Sequence, residues 1–142
     1  MKVKFDADGF RRQMEAYAER KIEQIHRATE LACIEIESAA KEKCPKGTDA
    51  LRQSIMSKVE DSGAKSVGTV GSELEYAPYV HEGTGIYSRT GMGRKDVPWP
   101  YIDEKTGEEI WTKGNKPNPF LEDAVNENRD RVTQIYINEL KG

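Results

Sequence analysis

"DGFRRQMEAYAERKIEQIHRATELACIEIESAAKEK", residues 8–43, is the stretch on which the fold turns. Apolar or small residues recur at Phe10, Met14, Tyr17, Ala18, Ile22, Ile25, Ala28, Ala32, Ile36 and Ala39, mostly three or four apart. That spacing lines one face of an α-helix. After Gly9 neither Gly nor Pro interrupts the run. Asp6 or Asp8 suits the cap at its start, and "CPKG" (44–47) stops it at Pro45 and Gly47. At ~1.5 Å per residue the rod approaches ~50 Å, well beyond the width of a small domain. A helix of that length cannot bury its whole stripe in its own globule, so part of it is expected to serve a partner.

The chain of 142 residues is the size of one domain, because splitting it would leave two marginal cores. Residues 48–85 read as a sheet region. "TDALRQSIMSKV" (48–59) is a short helical turn, with Thr48 and Asp49 as caps, running into a strand. "SVGTVGS" (66–72) and "ELEYAPYV" (73–80) are β-leaning, with "EDSGAKS" a hairpin turn before them. Residues 86–116 read as a long flexible loop. Inside it, "WPYIDEKTGEEIWTK" carries aromatic and β-branched arms around "DEKTGE", which predicts a hairpin with Gly107 in its turn. A last helix is expected over 119–140, with Asn118 as N-cap and Pro119 in the first helical position. The expected class is α+β, with two helices packed on a small, mostly antiparallel sheet and a long loop inserted.

Lys and Arg number 22 against 25 Asp and Glu, a net charge of −3. That balance excludes a protein held to DNA by an overall cationic surface. No stretch approaches the ~20 apolar residues of a membrane span, and "MKVKFDADGF" lacks the apolar core of a signal peptide. The expectation is synthesis in a cytoplasm and no membrane partner. Cys33 and Cys44 are the only cysteines. Within one helix they would stand about 16 Å apart, beyond disulfide reach, so both read as reduced structural thiols.

No catalytic, metal or cofactor constellation emerges. His81-Glu82 opens like a zinc-protease signature, but position 85 is Gly where the second His belongs, and His26 is the only other histidine. No serine sits in a Gly-x-Ser-x-Gly elbow. "GTGIYSRTGMGRK" (83–95) lacks the Walker spacing and is followed by "VPWP", which forbids a helix. Residues 86–116 interleave aromatics with Arg89, Arg94, Lys95, Lys105, Lys113 and Lys116, a pattern that suits a stacking surface for nucleic acid. Five acidic side chains nearly cancel those six charges.

Three stretches in order, "CPKGTDALRQSI" (44–55), "YAPYVHEGT" (76–84) and "KPNPFLEDAV" (116–125), follow the long helix. In that order the chain resembles the neck or tail-completion proteins of long-tailed bacteriophages and prophages, which include the tail-completion component of lambda-like phages. It departs from them at Thr48-Asp49-Ala50, where the family usually has Thr-Gly just before the Leu-Arg pair. The resemblance implies a virion structural protein without enzymatic activity or cofactor. It would be made in the bacterial host cytoplasm and assemble as a ring where the head meets the tail. Its partners would be further copies of itself, the tail tube or terminator, and head-closure proteins, with transient contact to DNA. Docking to a sixfold tail favours six or twelve subunits. The motif residues carried over are Tyr76, Ala77, Tyr79, Val80, Glu82, Gly83, Thr84, Pro119, Phe120 and Leu121.

Residues 76–84 are then expected to end a strand and turn a corner, with Tyr76, Ala77 and Val80 inward. Gly83 and Gly85 would supply backbone freedom, and Glu82 a specific hydrogen bond or ion pair. Arg89, Arg94, Lys95, Trp99, Tyr101 and Trp111 are the candidate interface. The alternative reading is a nucleic-acid-binding module built on the same loop; a hydrolase using His81 and Glu82 ranks third.

Overall fold

The computed structural model describes residues 1–46 and 49–142. Gly47, expected to help stop the first helix, and Thr48, expected as a cap, lie outside the described residues. Helix α1 spans Asp8–Lys43 without interruption, about 54 Å of rod. Asp6 Oδ1 accepts the Asp8 N–H at 2.8 Å, just ahead of the helix. At the far end the Cys44 N–H donates to the Ala40 carbonyl at 2.9 Å. Cys44 then turns extended, with ψ 140°, as a residue before Pro must.

A short helix α2 (Asp49–Ser54) leads into an antiparallel hairpin of β1 (Met56–Ser62) and β2 (Lys65–Gly71). Its register runs from Met56 opposite Gly71 to Ser62 opposite Lys65. The hairpin lies along α1, fixed at one end by Ser57 Oγ donating to Glu37 Oε2 at 2.6 Å. At its tip His26 Nε2 donates to the Gly63 carbonyl at 3.1 Å.

The next segment departs from expectation. Residues 73–80 do not extend the sheet: a turn leads into helix α3, Ala77–Glu82. Pro78 decides this. It has no N–H to give a strand ladder, but sits without penalty in the first turn of a helix, where it is found. Among the described residues the sheet expected over 48–85 is therefore two-stranded, β1 with β2 alone, and the predicted hairpin forms a second two-stranded sheet. The second pairs β3 (Trp99–Ile102) with β4 (Glu109–Thr112) around the expected turn.

The last helix is also divided, into α4 (Phe120–Glu127) and α5 (Arg129–Leu140). Asn128 makes the break. Its side-chain Nδ2 donates to the Ala124 carbonyl at 2.8 Å, taking the acceptor its own backbone N–H would have used. That N–H donates instead to the Val125 carbonyl at 3.3 Å, a local competition typical of Asn. Capping differs as well. Pro119 is the N-cap residue, its carbonyl accepting the Asp123 N–H at 2.8 Å, while the Asn118 side chain points to the Lys43 carbonyl at the end of α1.

Both C-terminal helices pack on α1. Thr29 Oγ1 and the Tyr136 hydroxyl share a 2.6 Å hydrogen bond, and Lys21 Nζ donates to the Leu140 carbonyl at 2.6 Å. The core gathers on the second half of α1: Ile36, Ala40, Cys44, Leu51, Ile55, Ala77, Phe120 and Ala124. Residues 8–20, the first third of the helix, are exposed throughout. The α+β class stands as read from the sequence.

Candidate functional site

The motif stretches 76–84 and 119–121 meet at one corner. The His81 ring lies edge-on to Phe120, centroids 5.5 Å apart at 74°, and the Asn118 N–H donates to the Val80 carbonyl at 2.9 Å. Ala77 and Phe120 are buried, and Val80 and Leu121 pack against the core. Tyr76, expected inward, is exposed instead, as is Tyr79. Helical spacing turns Ala77 and Val80 inward together and Tyr79 away from them, while Tyr76 is the N-cap residue just ahead of the helix.

Glu82 is the electrostatic centre of this corner. It accepts Arg89 Nε at 3.0 Å and Nη2 at 3.1 Å, and His81 Nδ1 at 2.8 Å. Arg89 Nη2 also reaches Glu122 Oε2 at 2.8 Å. The Glu122 backbone N–H points at His81 Nε2, 3.4 Å away. That makes Nε2 the acceptor, so the imidazole proton resides on Nδ1, towards Glu82. One guanidinium thus ties α3 to the first turn of α4. Hydrogen bonds from Arg89, and then from His81, hold the Glu82 carboxyl below the usual carboxylate range.

A group whose pKa falls on folding stabilises the fold above its unfolded pKa, about 4.3 for Glu. The contribution vanishes as pH drops through the lower folded value. Wild type should therefore be more stable than Glu82→Gln at pH 6, with the gap narrowing between pH 4 and pH 3. Urea midpoints at the three pH values check this; a gap constant to pH 3 would deny Glu82 its ionic role.

Beyond α3 the chain is strapped down. Gly83, at φ 84°, donates to the Tyr79 carbonyl at 2.9 Å. The Thr84 N–H donates to the Asn115 carbonyl at 2.9 Å, the Ile86 N–H to the Lys113 carbonyl at 3.1 Å, and the Asn115 N–H to Thr84 Oγ1 at 2.8 Å. The two backbones cross at Gly85 and Gly114. A Cβ on Gly85 would overlap the Lys113 carbonyl oxygen, and one on Gly114 the Thr84 carbonyl oxygen. Both ends of the insertion are tied to the corner in this way, and the β3–β4 hairpin projects from it. Among the described residues, no other helix or strand packs closely on that hairpin.

The six candidate interface residues divide. Arg89 is engaged within the chain, as above. The Arg94 guanidinium lies over the Trp99 ring, 5.0 Å from its centroid, and that ring is half-buried. Lys95, Tyr101 and Trp111 are exposed. Sequence reading missed Glu122, although an acid in the first turn of a helix is a recognisable signal. It also missed the strap residues Lys113 and Asn115, which nothing local marks.

Neither cysteine is activated: burial raises the Cys33 thiol, with Glu37 adding to the effect, and burial raises Cys44. Among the described residues no three His, Cys, Asp or Glu side chains gather as a metal site. No helix among them is long and apolar enough to cross a membrane.

The model of the family described as "Bacteriophage HK97-gp10, putative tail-component" matches residues 8–83, more than half of the chain. No curated protein and no solved structure matches the chain significantly.

Proposed function

Because the chain belongs to the HK97-gp10-like bacteriophage family, we propose that it is a non-enzymatic structural component of the head–tail junction. It assembles there as a ring of six or twelve copies, against the tail tube or terminator on one side and head-closure proteins on the other. It is built in the host cytoplasm and ends in the virion.

The observation that carries this reading is the β3–β4 hairpin. Isolated two-stranded hairpins are marginal in water, yet this one holds Ile102 at 63% and Trp111 at 60% exposure, with Tyr101 exposed too. Exposed aromatics on an anchored arm are the usual composition of an interface anchor. The anchoring supports an arm placed for a neighbouring virion protein. The nucleic-acid reading keeps Arg94 and Lys95 for transient contact with DNA but loses Arg89 to its ion pairs.

The test is complementation of a phage lacking this gene. An Ile102→Ser/Trp111→Ser variant should fold normally but leave filled heads and tails unjoined in electron micrographs, with infectious titre down at least a hundredfold. Normal joining would remove the hairpin from the junction.

A further inference from the structure

Helix α1 carries three large apolar side chains in its first third, where its own fold leaves them uncovered. Positions 10, 14, 17, 21, 25, 28 and 32 share one face. Where that face is buried it is lined by Ala28 and Ala32. Where it projects it holds Phe10, Met14 and Tyr17, exposed by 66%, 48% and 47%. A merely solvated helix end would have no use for that exchange.

The same chain has an open apolar groove of about 460 Å³ between α1, β2 and the C-terminal helices. Ala32, Cys33 and Gly68 make a floor of small residues, and Leu121, Val125 and Val132 form one wall. The ridge cannot fill its own groove. Met14 and Ala32 lie on one uninterrupted helix, eighteen residues and about 27 Å apart.

We propose that residues 1–20 of one copy dock in the groove of the next, with Phe10, Met14 and Tyr17 facing its Leu121–Val125–Val132 wall. The inference rests on the ring reading and gives it an interface. Three further observations select a second copy as the occupant. Buried aromatics contribute ~150–250 Å² each. Phe5, Phe10 and Tyr17, scaled by their exposure, with Val3 and Met14 beside them, therefore offer on the order of 500–700 Å², close to the ~800 Å² per partner of a stable interface. Net charge favours arm and body as wholes, since residues 1–21 hold six Lys and Arg against four Asp and Glu, while residues 22–142 hold 16 against 21; the charged side chain lining the groove itself is Arg129. Finally, ridge and groove are different surfaces, so the contact is head-to-tail, the kind that generates rings.

Light scattering on three proteins and one mixture tests it. Wild type should be a multimer of the 16.0 kDa chain. Phe10→Asp/Met14→Asp and Val125→Asp should each run at 16.0 kDa, the first with unchanged circular dichroism because its sites are exposed. Mixed one to one, they should form a particle of twice that mass and no larger, since the only intact ridge meets the only intact groove. A ridge variant that keeps the wild-type mass overturns the docking mode and leaves the ring standing. Wild type at 16.0 kDa up to millimolar concentration overturns both. Should Val125→Asp fail to fold, Met14→Cys/Val125→Cys in a Cys33→Ser/Cys44→Ser background decides. Oxidation should give a ladder of linked chains, and linkage no greater than with Met14→Cys alone counts against the docking.

Discussion

Phe120→Ala should destabilise the chain by about 3–5 kcal/mol, the range for deleting a fully buried aromatic. Phe120 has no exposed surface and is the largest fully buried side chain. It stands where α1, α2, α3 and α4 converge, among Ala40, Cys44, Leu51, Ile55, Ala77 and Ala124. The neighbours are mostly small, and α1 is too regular to bend inward, so little of the cavity can close. Against a total stability of ~5–15 kcal/mol, such a loss leaves a marginal protein. The His81 ring also loses its contact, so the Glu82–Arg89 corner should loosen with the core. Urea unfolding with an unchanged slope measures the effect. A loss under 1 kcal/mol would mean that the corner is not packed as described. Phe10→Ala on the exposed ridge is the control and should stay within about 0.5 kcal/mol in the monomer.

Gly85→Ala should act locally and nearly as strongly. Gly85 has φ 61°, a conformation that costs an L-residue about 1–2 kcal/mol. Its new methyl would also press into the Lys113 carbonyl, which belongs to backbone and cannot swing aside as a side chain would. Relief requires the crossing strands to part, breaking the Ile86–Lys113 and Thr84–Asn115 hydrogen bonds. On the order of 3 kcal/mol of local opening energy should vanish, a hundredfold loss of hydrogen-exchange protection at the Thr84 and Ile86 amides. Amides near Leu51 and Ala40 should keep theirs. Loss of protection throughout would show that the strap and the core unfold as one unit.

The long helix was legible because its signal is repeated over 36 residues and no breaker contradicts it. Both hairpin turns were legible for a similar reason, each marked by a glycine between β-prone arms. Residues 73–80 were misread because alternation of apolar residues outweighed Pro78, the one residue that excluded a ladder. The division at Asn128 is a matter of one amide taking one carbonyl, and no periodicity reports that. Glu82 reads from the sequence as an ion-pair residue, but its partner Arg89 lies seven residues away, and Glu122, which shares that guanidinium, lies forty away. The strap was invisible for the same reason: Gly85 and Gly114 are each ordinary loop glycines until the chain lays one across the other.

The unbroken length of α1 also makes it a gauge. From Phe10 to Ile36 the helix contains neither Gly nor Pro, so the separation between its projecting face and its buried face is counted out in residues. Under the proposed docking, that count sets the stride from one subunit to the next. Seven residues inserted near Ile22 would lengthen the stride by about 10.5 Å while turning the tip only about 20°. The projecting face would still look toward its neighbour, but from farther away, and the assembly's diameter would become a property written in the length of one helix.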